Sequence, residues 1–214
     1  MVIQELKPSK RIEGRWLVML EDGSILRVGE SEVVGFSLYA GKQLSEEEAR
    51  KLLDGARRSA LKEKTIELLS RKPQSRWEME RKLEQWESGA EETKEICDRM
   101  EELGFLDDAQ YAQRVVRHYS AKGFGERKLR DELYRRGIPR ELWQQAMEQQ
   151  QDSESHLDAF IAKKLAGKPM DRQNMKKVSD ALARRGYRWS EINEAMRRFG
   201  AALEDADGFS NDIF

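Results

Sequence analysis

The stretch Leu129–Gly137, LRDELYRRG, returns as Val178–Gly186, VSDALARRG, at an offset of 49 residues. The same offset pairs apolar residues over a longer stretch: Tyr111 with Phe160, Val116 with Leu165, Ala146 with Ala195, and Met147 with Met196. A looser copy lies 50 residues upstream and aligns apolar residues too: Leu61, Ile66, Met79 and Leu83 with Tyr111, Val116, Leu129 and Leu133. Matching apolar positions at a fixed offset indicate that one supersecondary unit is used three times.

Each copy is predicted to contain three helices, because apolar residues recur at helical spacing and proline or glycine separates the segments. The predicted helices are 56–71, 76–87 and 91–103 in the first module, 108–121, 126–136 and 139–149 in the second, and 153–166, 171–185 and 189–200 in the third. Gly137 is expected in the left-handed position after a helix, and Pro139 at the first position of the next helix. Modules this short should depend on packing against their neighbours.

The segment before the modules is predicted to be β-rich. Residues 16–20 and 25–28 are β-prone and flank the turn Glu21-Asp22-Gly23-Ser24, in which Asp-Gly favours a hairpin. A lone hairpin is marginally stable, so Val2-Ile3 and residues 33–38 are expected to supply further strands. Ser45 and Glu48 then have capping-box spacing and open a long helix, in which Gly55 is a candidate kink.

The sequence therefore predicts a mainly α protein, with three tandem three-helix modules in an elongated curved array behind a small β-rich segment. The expected divisions are 1–43 for the β-rich segment, 44–106 for a linker helix and the first module, 107–151 for the second module, 152–200 for the third, and 201–214 for an acidic, disordered tail.

Composition restricts the class of protein. Charged residues make up 37% of the chain, against about 25% in an average soluble domain, which favours thin helical layers over one thick core. No apolar run is long enough for a membrane span or a secretory signal, so we expect a cytoplasmic protein. A single cysteine, Cys97, excludes an internal disulfide and is expected to be a small core residue. No nucleotide-binding motif is present, and no cofactor is expected.

The adjacent acids Asp107 and Asp108 have two interpretations. They could form a metal or acid–base site, but adjacent carboxylates on a helix do not face one target, and no His or Cys cluster has ligand spacing. We therefore expect Asp107 to cap the helix that starts at Asp108. Asp107→Ala should lower the free energy of unfolding by about 1 kcal/mol in a denaturant titration. A large activity defect at unchanged thermal stability would contradict this interpretation.

Basic residues recur on the middle helices of the last two modules. Positions seven or eight residues apart return to about the same helical face, so each set of clusters is predicted to form a stripe. Cations also favour helix C-termini, which gives the residues at 135, 136, 184 and 185 a structural alternative. The third module holds eleven basic against seven acidic residues over 152–200, which favours an acidic partner. The predicted partner-binding residues are Arg127, Lys128, Arg130, Arg135, Arg136, Lys176, Lys177, Arg184 and Arg185.

Two motifs resemble a known family. The run Gly104–Ala112, GFLDDAQYA, is followed by Lys122–Gly125, KGFG, and by Leu129, Glu132-Leu133 and Arg136-Gly137-Ile138. Together with Ser75–Leu83, SRWEMERKL, this pattern resembles the RecX family of recombinase regulators. The modular layout over residues 60–200 is similar to that family, with a thinner signature in the third module.

The resemblance implies that the protein binds the RecA–single-stranded DNA filament in its helical groove. It also implies that the protein inhibits the ATPase, strand exchange and filament growth, in DNA repair and the SOS response, as a regulator rather than an enzyme. A monomer is expected, with direct contact to single- or double-stranded DNA left open. The alternatives are a stand-alone nucleic-acid-binding helical repeat protein, whose binding would fall steeply with salt, and a hydrolase, for which no nucleophile, base or metal set is assembled.

Overall fold

The computed structural model describes residues 1–150 and 153–208, and most of them are helical. A three-stranded antiparallel sheet comes first, with strands β1 Ile3–Pro8, β2 Arg15–Leu20 and β3 Ile25–Gly29 in that order. The helices are α1 Glu30–Gly35, α2 Glu46–Arg71, α3 Arg76–Gln85, α4 Ala90–Glu102, α5 Asp108–Ala121, α6 Glu126–Arg135, α7 Trp143–Met147, α8 Ser153–Leu165, α9 Arg172–Arg184 and α10 Trp189–Gly208. The predicted fold class, mainly helical with a small β-rich front, is confirmed.

The chain forms two compact units. Unit one comprises Met1–Pro73 and Met79–Phe105, and unit two comprises Gln74–Glu78 and Leu106–Phe214. The predicted boundary at 151/152 and the end of the predicted tail, 209–214, lie outside the described residues. Within the described part, α10 continues to Gly208, although the sequence predicted the last helix to end at Gly200 and an acidic tail to follow.

In unit one the sheet packs against α2. The hairpin predicted from Asp22-Gly23 forms, since β2 and β3 pair antiparallel and Gly23 has a φ of 82° in the turn. Strand alternation sends Val18 and Val28 to the face that packs with Leu52 of α2, and all three side chains are almost fully buried. Ser45 and Glu48 form the predicted capping box at the start of α2.

Residues 33–38 do not form the predicted strand. Their first half belongs to α1, because the Glu32 carboxylate accepts a hydrogen bond from the Gly29 N–H at 2.8 Å and caps the helix. The same carboxylate accepts a hydrogen bond from the Ser59 hydroxyl at 3.2 Å. A Cβ on Gly55 would lie 3.2 Å from Cγ of Glu32. Gly55 thus permits close packing of α1 on an uninterrupted α2 and does not mark a break in that helix.

Unit two has two apolar clusters of similar construction. One is built on Val116, Leu129 and Leu133 from α5 and α6, and the other on Ile161 and Leu182 from α8 and α9, with neighbours on α7 and α10 respectively. The repeated apolar positions of the sequence therefore form repeated cores.

The last helix of the second module is shorter than predicted. A 3₁₀ turn, Arg140–Leu142, precedes α7, and Pro139 caps this turn with a ψ of 136° instead of occupying the first helical position. The indole N–H of Trp143 donates to the Ile138 carbonyl at 2.9 Å, which holds the chain extended at Pro139.

Candidate binding surface

The middle helices α3, α6 and α9 end in the same way. After each helix an N–H group donates to a carbonyl five residues back, at 3.1, 3.1 and 3.3 Å: Ser88 to Leu83, Ile138 to Leu133, and Tyr187 to Leu182. The residue before each of these donors is left-handed, with φ of 61°, 64° and 91°: Glu87, Gly137 and Gly186. This is the Schellman ending of a helix, repeated at the sequence offsets of 50 and 49 residues.

Two of these endings receive the start of another middle helix. At Gly186 the N–H groups of Gly125 and Arg127 donate to the carbonyls of Arg185 and Gly186 at 3.0 and 3.1 Å. A Cβ on Gly186 would lie 2.4 Å from the backbone nitrogen of Lys128, so only glycine allows this approach. The C-terminus of α9 therefore meets the N-terminus of α6, and their opposite dipole ends attract each other.

The C-terminal end of α6 is likewise contacted by the start of another helix, α3. The hydroxyl of Ser75 donates to the Arg136 carbonyl at 2.5 Å, and the ring of Trp77 packs where a Cβ on Gly137 would stand. The Arg76 N–H donates to the Asp108 carboxylate at 2.8 Å. The first turn of α3 thus contacts the end of α6. The first turn of α6 contacts the end of α9 in the same way.

The end-to-end contact places basic residues from two helices side by side. The backbone of Arg185 and Gly186 at the end of α9 lies against the backbone of Arg127 and Lys128 in the first turn of α6, and Arg184 precedes this contact in the chain. Arg188, just beyond the junction, forms an ion pair with Glu126 at 2.6 Å. The two predicted stripes therefore adjoin within unit two.

Three predicted binding residues surround one buried carboxylate in α6. Glu132 is 6% exposed and lies 2.7 Å from the Lys128 ammonium, 2.5 Å from the Arg136 guanidinium and 3.8 Å from that of Arg135. Burial alone would raise the pKa of Glu132, but hydrogen bonds from Lys128 and Arg136 outweigh it and lower the pKa to about 2. Arg136 and Lys128 hence contribute to the fold, with side chains 21% and 23% exposed.

Arg136 extends this network to two tyrosines. Its guanidinium donates to the Tyr119 hydroxyl at 3.3 Å and lies 5.5 Å from the centre of that ring. Burial, followed by the negative charge of Glu78, raises the pKa of Tyr111 to about 12, so its hydroxyl stays protonated beside Arg136. These contacts make Arg136 a structural residue as well as a basic one.

The Arg185 side chain contacts both the second and the third module. Its guanidinium donates to the carbonyls of Lys122 and Gly123, both at 3.1 Å. It also lies over the rings of Phe124 and Phe160, at 5.3 and 4.7 Å from their centres. The Arg185 charge is therefore largely engaged by these carbonyls and rings.

The other predicted binding residues are solvent-exposed. Arg130 and Arg135 have ion-pair partners on their own helix, namely Glu126 and Glu132. Four have no ion pair within the described residues: Arg127, Lys176, Lys177 and Arg184. The structure thus divides the nine predicted positions into an interior group, at 128, 136 and 185, and an exposed group.

Sequence reasoning missed two residues here, the exposed Tyr134 and the buried Glu132. Tyr134 is 69% exposed and shares a helical face with Arg127 and Arg130, at i, i+3 and i+7. Its position outside the apolar stripe of Leu129 and Leu133 is a signal that the sequence did offer. The central role of Glu132 could be found only from its spacing of four residues to a base on each side.

A shallow cleft adjoins this face of α6. Its volume is about 530 Å³, and Arg130, Arg140 and Trp143 line it. The Arg140 guanidinium lies 5.9 Å from the centre of the Trp143 ring. The two guanidinium groups in its lining suit an acidic binding partner.

The acidic pair at 107 and 108 performs capping. The Asp107 carboxylate accepts a hydrogen bond from the Gln110 N–H at 2.8 Å at the start of α5, and Asp108 receives the Arg76 N–H. Within the described residues no group of three or more His, Cys, Asp or Glu side chains could hold a metal ion. In the same part of the chain, no helix combines the length and apolarity needed to cross a bilayer.

Comparison with known proteins identifies the family. Residues 107–147, which span α5, α6 and α7, match the family model described as RecX, second three-helix domain. The regulatory protein RecX of Pseudomonas putida strain GB-1 is 30% identical over 148 residues, which cover 68% of this chain and 94% of that relative. The chain belongs to the RecX family of regulatory proteins. The resemblance seen in the sequence motifs is thereby confirmed.

RecX relatives of greater length also match. The regulatory protein RecX of Clostridioides difficile strain 630 is 23% identical over 202 residues, covering 92% of this chain and 95% of that protein. A crystal structure of regulatory protein RecX superimposes with a TM-score of 0.71 at 21% identity, over 92% of this chain and 98% of that one. The crystal structure of RecX from Lactobacillus salivarius gives a TM-score of 0.62 at 18% identity, over 68% and 97% of the two chains. The RecX structures agree with the mainly helical fold.

Proposed function

We propose that this protein regulates a RecA recombinase by placing the exposed cations of α6 and α9 against the RecA–single-stranded DNA filament, in its helical groove. The observation that carries the proposal is the end-to-end contact at Gly186, which joins two basic helices into one surface. A helical polymer presents the same acidic groups at regular intervals, so a surface with repeated cations can make several weak contacts at once. Linked weak contacts raise the overall affinity through effective concentration.

The proposed effect is inhibition of the ATPase, of strand exchange and of filament growth, by occupation of the groove. We propose that this inhibition needs non-covalent binding only. The carboxylates of Asp107 and Glu132 are already engaged, the first in a helix cap and the second in ion pairs. Action on a DNA-repair filament places the protein in the cytoplasm, where we propose that it works as a monomer. The relatives are named regulatory proteins, in agreement with this role.

The test is a titration of the protein into a preformed RecA–single-stranded DNA filament while ATP turnover is followed. The informative variant reverses the four exposed cations that have no ion pair in the described part of the chain: Arg127→Glu, Lys176→Glu, Lys177→Glu and Arg184→Glu. We expect it to need at least tenfold more protein for half-inhibition, because each reversal replaces an attraction by a repulsion. Lys128, Arg136 and Arg185 are left intact, since their loss would disturb the fold.

A matched control reverses four exposed cations of unit two outside the two stripes: Arg117→Glu, Lys163→Glu, Lys168→Glu and Arg197→Glu. It carries the same change in net charge and should inhibit nearly as well as the wild type. Equal inhibition by the stripe variant and the wild type would remove this surface from the mechanism. Binding of naked single-stranded DNA, measured in parallel, distinguishes filament regulation from a stand-alone DNA-binding protein, for which the net charge of −1 is unfavourable.

A further inference from the structure

The sheet of unit one has an outer face that the helical modules do not explain. Lys7 stands opposite Leu17 on the next strand, and Leu17 stands opposite Arg27. Side chains alternate between the two faces of a strand, and the neighbouring Val18 and Val28 are buried toward α2. Lys7, Leu17 and Arg27 therefore face away from the core, and both cations are exposed.

The turn between β1 and β2 holds two more cations at the end of this face. The Ser9 N–H donates to the Arg15 carbonyl at 2.8 Å, which closes the turn. The Ser9 hydroxyl accepts hydrogen bonds from the N–H groups of Arg11 and Ile12 at 3.3 and 3.4 Å. These bonds hold the backbone of the turn that carries Lys10 and Arg11.

The face and the turn enclose an open cleft of about 420 Å³. Five cations line it: Lys7, Lys10, Arg11, Arg15 and Arg27. None of its lining residues in the described part of the chain carries a carboxylate. Arg15 is paired with Glu63, and Lys7 lies 3.1 Å from Glu5. Lys10, Arg11 and Arg27 have no ion pair among the described residues, so the cleft has uncompensated positive charge.

We propose that this cleft binds the phosphate backbone of duplex DNA. Adjacent strands are about 4.8 Å apart, so the row from Lys7 to Arg27 is about 10 Å wide and can meet more than one phosphate. No aromatic side chain is among the lining residues described, whereas proteins that hold single strands stack the bases on aromatic rings. A duplex keeps its bases stacked internally and offers its phosphates outward, which suits a surface of cations around Leu17.

This site does not rest on the proposed function, and its test needs no recombinase. The full-length protein is titrated against a fluorescent duplex of about 20 base pairs at several salt concentrations. The test variant is Lys10→Glu, Arg11→Glu and Arg27→Glu, which leaves the Arg15–Glu63 pair and the buried face of the sheet untouched. We expect affinity at low salt to fall at least tenfold, and the slope of log K against log[salt] to lose about 0.9 for each phosphate contact removed.

The matched control is Arg50→Glu, Lys51→Glu and Lys72→Glu, which changes exposed cations of unit one outside the cleft by the same charge. It should keep the wild-type slope. The neutral variant Lys10→Gln and Arg27→Gln should lose part of the affinity, and thermal melting verifies that each variant is folded.

Several outcomes would overturn the assignment. They are the absence of salt-dependent duplex binding by the wild type, an equal loss in the control, and an unchanged slope in the neutral variant. The same titration is made with a single strand of the same length. If the test variant loses more affinity for the single strand than for the duplex, the assignment to duplex DNA is contradicted. Duplex binding retained in full by the test variant would also overturn the assignment.

Discussion

The middle helices α6 and α9 have similar patterns of basic residues, but these residues make different contacts in the two helices. In α6, Lys128 and Arg136 close around the buried Glu132. At the equivalent position α9 has Ala181, and Lys177 stays exposed without an ion pair in the described part of the chain. One alanine in place of one glutamate thus leaves Lys177 exposed, while Arg185 binds carbonyls of the second module instead of a carboxylate on its own helix. A repeated pattern in the sequence therefore predicts a repeated helix better than a repeated function.

The largest expected effect comes from breaking the contact that joins the two helices. Gly186→Ala should lower the free energy of unfolding by about 3 to 5 kcal/mol, from left-handed strain and from overlap with the Lys128 backbone. Urea denaturation measures this change. Gly167→Ala is the control, because Gly167 has a φ of 69° and no atom within 4 Å of its added Cβ; it should cost about 1 to 2 kcal/mol. Equal losses in the two variants would show that the contact adds nothing.

The next effect tests the internal network of α6. Glu132→Gln should lower the free energy of unfolding by about 2 to 3 kcal/mol at pH 7, because two half-buried cations lose their partner. The folded pKa of about 2 lies below the unfolded value of 4.5. The contribution of Glu132 is therefore fully present above pH 4.5 and is lost as the pH falls toward 2.

Denaturation of the wild type and of Glu132→Gln at pH 7 and near pH 2 measures this window. Their difference in stability should nearly vanish at the lower pH. Glu102→Gln is the control, since Glu102 pairs with Arg99 on an exposed surface and should cost less than 1 kcal/mol. A pH-independent difference between the wild type and Glu132→Gln would contradict the ion-pair explanation.

The smallest effect on stability should come from giving α9 the acid that α6 has. Ala181→Glu places a carboxylate four residues from both Lys177 and Arg185, and should add about 0.3 to 0.5 kcal/mol to the free energy of unfolding. Filament inhibition should weaken several-fold, because the exposed positive charge is partly neutralised. Dose–response curves of ATP turnover measure this change, and Ala181→Gln is the uncharged control. Stronger inhibition by the glutamate variant would contradict a role for α9 cations.

Much of the helical structure could be predicted because its causes are local. Ser45 and Asp107 cap helices through groups three residues away, and the Asp22-Gly23 turn needs only glycine's tolerance of a φ of 82°. Residues 33–38 were predicted wrongly because β-branched residues favour strands, whereas the Glu32 cap and its contacts with Ser59 and Gly55 favour a helix. The local Glu32 cap and the contacts from α2 decided that segment together.

The sequence named nine basic residues as binding candidates but could not separate the buried ones from the exposed ones. From their spacing in the sequence, the cations at 128, 136 and 185 could not be distinguished from those at 127, 176 and 177. Their burial separates them, and burial depends on which carbonyls and rings a distant segment brings near. The Arg185 partners Lys122, Gly123 and Phe160 lie on two other segments of the chain.

By itself the sequence determined the threefold repeat of apolar positions, the helix caps at Ser45 and Asp107, and the hairpin, because capping, periodicity and turn conformation act over a few residues. It also contained the motifs that identify the RecX family. Only the tertiary structure decided that Gly186 receives the start of α6, that Glu132 is enclosed by cations, and that the outer face of the sheet carries a basic cleft. Each of these depends on the approach of segments far apart in the chain, and electrostatic and packing energies are set by that final distance.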